Sequence, residues 1–107
     1  MTNKVLTLLG FAAKAVKLSY GMDATVTAIK AGKAKLAVTA GDVSEKSRKE
    51  ITFHCNKNAV RVLNLAGFDI ETVSHAVGHK CGILSVNDSG FADALCKAAE
   101  DGENRTS

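Results

Sequence analysis

"AKLAVTAGDVSEKSRKEITFHCNKNAVRVLNLA", residues 34–66, sets a charged run between two short apolar ones. "AKLAVTA" (34–40) and "AVRVLNLA" (59–66) have strand length and near-continuous hydrophobicity, and Gly41-Asp42 closes the first. Between them, "SEKSRKEITFHCNKN" (44–58) spaces Ser47, Ile51 and Cys55 four apart on one stripe. That spacing predicts a mostly exposed helix. Apolar strands alternating with helices imply a central sheet covered on both faces.

The pattern extends in both directions. In "TNKVLTLLGFAAKAV" (2–16), Val5, Leu8, Leu9, Ala12 and Val16 recur at helical steps, and Asn3, Thr7, Gly10, Lys14 and Lys17 fall on another face. Leu18-Ser19-Tyr20 reads as a break. A second helix is expected at about 22–31, with Met22, Val26 and Ile29 on one stripe, Asp23, Thr27 and Lys30 on another, and Gly32 as its stop. A short helix at 70–77, a third strand "GILSV" (82–86) and a last helix at 89–100 opened by Asp88 or Ser89 complete the reading. The expected fold is α/β, a single-domain three-layer α/β/α sandwich over 1–107 with a small mixed sheet. Its core should span about 3–99, with a mobile acidic tail over 100–107.

A chain of 107 residues, 46% of them apolar, suits one domain with a modest core. No uninterrupted apolar run is long enough to cross a bilayer, and the N-terminus lacks the pattern of a secretory signal. These features predict a soluble, cytoplasmic protein. Cys55, Cys81 and Cys96 are odd in number and widely spaced, so reduced thiols packing as small apolar groups are expected. The overall charge of +3 is unevenly distributed. Residues 1–35 hold Lys4, Lys14, Lys17, Lys30, Lys33 and Lys35 against Asp23 alone, whereas residues 98–107 are net acidic. A polyanion-facing surface and a merely solvated lysine face both fit that distribution.

The sequence offers little to catalysis. "HAVGHKC" (75–81) carries His75, His79 and Cys81, but Gly78 should end the helix before His79 and break the one-face spacing a zinc site needs. No phosphate-binding glycine loop and no nucleophile elbow are present. Asp42 and Asp88 sit at strand-to-helix junctions, where capping accounts for them. Neither an enzyme nor a cofactor is expected.

"SYGMDATVTAIK" (19–30) differs from the rest in what it offers. A glycine before a helix lets a bulky partner approach, and the first N–H groups of that helix are free donors at the positive end of the dipole. Asp23 at this point either complements the dipole or accepts from a guanine N–H.

Taken with "LLGFAAKAVKLSYGMDATVTAIKAGKAKLAVTAGDVSEKSRKEI", "CNKNAVRV" and "AVGHKCGILSVNDSGFADAL", this stretch resembles, in order and spacing, the ribosomal-protein family of kink-turn RNA binders. The likeness is greatest to its bacterial YlxQ-like branch and covers about residues 5–96. The resemblance implies an α/β/α fold, no enzymatic activity, and binding of structured RNA with tandem sheared G·A pairs beside a sharp bend. In that family a Gly-Thr-Asn-Glu stretch heads the second helix and reads the guanines, a lysine one turn on supports it, and the loop before the last strand packs against an extruded nucleotide. By the resemblance Gly21, Met22, Asp23 and Ala24 take the four positions, Thr27 the lysine's, and His79-Lys80-Cys81 the loop. An ionised Asp23 cannot donate as asparagine does, and Ala24 makes no side-chain hydrogen bond. Losing one bidentate base contact removes about 1–3 kcal/mol of discrimination.

The reading is a monomeric, non-enzymatic binder of structured RNA, either ribosomal RNA or another kink-turn RNA, associated with the ribosome and not with a membrane. Lys14, Lys17, Lys33 and Lys80 are expected to meet phosphates, and the face of Gly21, Met22, Asp23, Ala24 and Thr27 to meet the bend. The alternative is a protein-interaction module on the same fold with weakened RNA specificity.

Overall fold

The computed structural model describes the backbone of residues 3–104 and the side chains of residues 3–100. The elements run α1 (Lys4–Lys14), β1 (Leu18–Tyr20), α2 (Met22–Lys30), β2 (Leu36–Ala40), α3 (Glu45–Lys57), β3 (Arg61–Leu65), α4 (Ile70–Val77), β4 (Ile83–Val86) and α5 (Ser89–Asn104). The four strands form one sheet in the order β1-β4-β2-β3. Antiparallel pairing joins β4 to β1 and to β2, while β2 and β3, linked through α3, run parallel. Helices α2 and α3 pack on one face; α1, α4 and α5 form the layer on the other. The expected three-layer sandwich with a mixed sheet is the one observed.

Burial follows from the apolar runs. Every residue of β2 and β4 is buried, because both are interior strands with helices above and below. Leu9, Ile29, Leu36, Ile51, Leu84 and Leu95 are the largest fully buried side chains. The helix starts are capped locally, by Asn3 accepting from Val5 N–H, Ser44 from Ser47 N–H and Asp69 from Thr72 N–H. Asp88 accepts from Phe91 N–H, as its position before α5 predicts. Cys55 and Cys81 are buried free thiols, and Cys96 is half-buried. Burial pushes the Cys55 thiol up to about 11, which keeps it neutral and apolar in character.

Several details differ from the sequence reading. The Leu18-Ser19-Tyr20 break is strand β1, paired residue for residue with Val86, Ser85 and Leu84. Three residues are too few for periodicity to reveal, and the pairing partner lies far along the chain. Val16 is not on the apolar stripe: α1 ends at Lys14, and Val16 sits beyond it at φ 58° and 84% exposed. Edge strand β3 leaves Arg61 and Asn64 exposed, so the sheet is not covered throughout. Asp42 does not cap the helix that follows it. Its Oδ1 accepts from Ile70 N–H at 2.7 Å and braces the start of α4 instead. Helix α5 continues to Asn104, four residues past its expected end, and residues 105–107 of the expected mobile tail lie outside the described residues. Among the described residues, no helix is long and apolar enough to cross a membrane.

Candidate nucleic-acid interface

Strand β1 ends at Tyr20 on the sheet edge formed with β4. Gly21 then donates its N–H to the Ile83 carbonyl at 2.8 Å and turns the chain into α2 with φ 90° and ψ 167°. That conformation belongs almost wholly to glycine, because a Cβ clashes there with its own backbone. A Cβ at Gly21 would meet nothing else within 4 Å. The turn therefore requires glycine for its dihedral angles, and the space before it is open. No side chain caps α2, so its first N–H groups face outward with the positive end of the dipole. Asp23 stands in that first turn. Asp23, Ala24 and Thr27 are exposed, with Asp23 and Thr27 one turn apart, whereas half-buried Met22 leans on the core.

A second limb faces this turn. Helix α4 stops at Gly78, whose left-handed φ of 76° ends the spiral as the sequence predicts, and residues 79–82 lead into β4. The His79 ring stacks on Tyr20, with centroids 4.0 Å apart and planes 12° from parallel. Two residues later, the Ser74 hydroxyl accepts from Cys81 N–H at 2.9 Å and donates to the Cys81 carbonyl at 3.1 Å. The loop is thus pinned on either side of Lys80. His79 and Lys80 are exposed, while Cys81 is buried and supports the loop from beneath. A shallow depression of about 200 Å³ between Gly21, Met22, Ser44, Ile70 and Gly82 connects the head of α2 to the head of α3. Burial, and secondarily the Cys81 thiol, raise the Tyr20 hydroxyl above its ordinary value, so a neutral ring backs His79.

The lysines divide differently. The Lys17 carbonyl accepts from Asn87 N–H, and Lys35 N–H donates to the Val86 carbonyl, which puts both residues at the end of β4 opposite to Gly21. Lys33 lies beside them, in the turn after α2. About 13 Å of extended chain separates Lys17 from Gly21. Lys14 lines a groove of about 810 Å³ between α1 and α4, together with Phe11, Glu71 and His75. The structure brings Gly21, Met22, Asp23, Ala24 and Thr27 together with His79 and Lys80, places Lys17 and Lys33 at the other end of the sheet, and sets Lys14 on the groove against α4. Tyr20 is the residue that sequence reasoning missed, because only the fold brings it to His79.

Among the described residues, no three of His, Cys, Asp or Glu converge as a metal site. What the edge offers is free backbone donors, a lone carboxylate, a lysine and a stacked ring pair. These features sit together on one edge of a small α/β/α domain, where the head of α2 meets the loop that enters β4. The chain belongs to the ribosomal protein L7Ae/L30e/S12e/Gadd45 family, whose model matches residues 3–96.

It is 29% identical over 89 residues to the RNA-binding protein YlxQ of Enterococcus faecium, covering 83% of this chain and 84% of that one. A Bacillus halodurans C protein of unknown function superimposes with a TM-score of 0.87 at 26% identity, over 92% of this chain and 99% of the other. The Giardia lamblia 15.5kD RNA binding protein shares the fold at a TM-score of 0.72 and 14% identity, over 94% and 86% of the two chains.

Proposed function

We propose that this protein is a non-enzymatic, cytoplasmic RNA-binding protein of ribosomal type that recognises structured RNA of the kink-turn kind through the head of α2 and the His79–Lys80 loop. The observation that carries the reading is the uncapped, glycine-headed start of α2 beside a loop pinned by the Tyr20–His79 stack. Backbone donors at a helix start suit phosphate and base edges, and a bent RNA is recognised by its shape and its exposed edges. Membership of a ribosomal-protein family supports the reading, as do the RNA-binding names of the Enterococcus and Giardia proteins. Asp23 accepts from guanine N–H groups, Lys80 meets a phosphate, and Lys14, Lys17 and Lys33 add attraction only for RNA that extends beyond the bend.

The test is a gel-shift titration against a kink-turn RNA and against the same RNA with its G·A pairs replaced, at two salt concentrations. Tight binding to the first and weak binding to the second is expected. Equal, strongly salt-dependent binding to both would reduce the interaction to phosphate attraction. One observation favours the second reading, a protein-interaction module. Met22 packs inward, Ala24 carries no polar group and Gly21 has no side chain, so of the four positions at the head of α2 only Asp23 offers a side-chain hydrogen bond to a base. Failure to bind either RNA supports that reading.

A further inference from the structure

Helix α3 buries Ile51 and Cys55 against the sheet layer. On a helix turning about 100° per residue, Phe53 falls about 200° from Ile51, at the centre of the solvent face. It is 60% exposed and does not pack against the described core, an unusual position for a phenyl ring. Lys46, Lys49 and Lys57 share this face at helical steps from Phe53, and all three are exposed. Lys57 Nζ lies 5.9 Å from the ring centroid, and His54 meets the ring edge at 5.3 Å. The acids beside the stripe are Glu45, which pairs loosely with Lys49 at 3.9 Å where both are well exposed, and Glu50. An exposed pair of that kind holds Lys49 only weakly. A ring set among cations is the composition of a platform on which an unpaired base stacks while its neighbouring phosphates are neutralised.

Helix α3 begins beside the proposed RNA edge, with the stripe on its outer face. Ser44 and Ser47, at the head of α3, line the same depression as Gly21 and Met22. Phe53 is nine residues beyond Ser44, about 13 Å along the helix. We infer that α3 is a second RNA-contact surface, with Phe53 stacking an unpaired base of a single-stranded segment that leaves the structured RNA held at α2, and Lys46, Lys49 and Lys57 meeting its phosphates. This rests on the RNA-binding function proposed above and adds the class of RNA, structured RNA with a single-stranded extension.

The chain contains no tryptophan, so Phe53→Trp provides a unique fluorescent reporter. The full-length protein is titrated with a kink-turn hairpin and with the same hairpin carrying a single-stranded uridine extension. The parent should prefer the extended RNA. Phe53→Ala should lose roughly tenfold in affinity for the extended RNA and little for the bare hairpin. Phe53→Trp should retain the preference, and its fluorescence should be quenched by the extended RNA alone. Lys49→Ala and Lys57→Ala should make the salt dependence shallower for the extended RNA only. If the parent binds the bare hairpin tightly but shows no preference, or if Phe53→Ala matches it on both RNAs, the second surface is refuted and the function at α2 stands. If the parent binds neither RNA, both fall. An unquenched Phe53→Trp in a complex that forms contradicts stacking directly and makes Phe53 an anchor for something other than a base.

Discussion

The rings of Tyr20 and His79 lie 4.0 Å apart and nearly parallel, joining the last residue of β1 to the loop that enters β4. The contact closes the two limbs of the proposed RNA edge over one another before any RNA arrives. A stacked pair of this kind is worth about 1 kcal/mol. His79→Ala should therefore lower folding stability by about that amount in urea denaturation, and should weaken binding of structured RNA because the loop must be ordered on association. His79→Phe retains a ring and should recover both. An alanine variant with unchanged midpoint and affinity would leave the stack without consequence.

Gly21 makes a separate prediction about backbone strain. Its φ of 90° and ψ of 167° disfavour any side chain even though the surrounding space is empty. Gly21→Ala should cost about 1–3 kcal/mol by chemical denaturation. Gly67 gives the control, since its surroundings are equally open and its φ lies outside the left-handed region. Gly67→Ala should be neutral or stabilising by up to about 1 kcal/mol through the unfolded state. If the two variants are equally stable, the conformation at Gly21 is not the constraint.

The layered fold was legible because each interior strand is an apolar run and each helix carries a stripe at steps of three and four. β1 escaped this reading because Leu18, Ser19 and Tyr20 alternate over too short a span, and only pairing with β4 makes them a strand. Of the site, Gly21 and Asp23 stood out by residue type and position, and Gly78 correctly divided His75 from His79. The stacking partner of His79 and the remoteness of Lys17 and Lys33 follow from strand order, which no local pattern encodes. Phe53 gave no signal, because an apolar residue in an exposed helix is not informative until its partners are known.

Cys55 supplies a pH dependence. Its thiol ionises at about 11 in the folded protein, because burial disfavours the thiolate, against an ordinary value of 9.0. The folded-state value is the higher one, so the contribution is fully present below about pH 9 and is lost as pH rises towards 11. The measurement is the stability difference between parent and Cys55→Ala across that window, which cancels whatever the two variants share. The parent should lose its advantage by roughly 2–3 kcal/mol. A difference that is flat with pH would show that Cys55 is not the source.

At the head of α2, Asp23 and Ala24 are exposed and adjacent. The double substitution Asp23→Asn, Ala24→Glu returns a donor and an acceptor to this edge and leaves the net charge unchanged. Discrimination for intact over replaced G·A pairs should rise by about 1–3 kcal/mol, with the salt slope nearly constant. An unchanged ratio of the two affinities would mean that these positions do not face bases.

The claim that RNA is held at the Gly21 turn is tested most directly by mapping backbone amide resonances of the protein titrated with a kink-turn hairpin lacking any single-stranded extension. Residues 20–24 and 79–80 should show the largest saturable shifts, and residues 17 and 33–35, at the far end of the sheet, should stay near their free positions. Shifts concentrated at Lys17, Lys33 and Lys35 with the Gly21 turn unmoved would contradict the account.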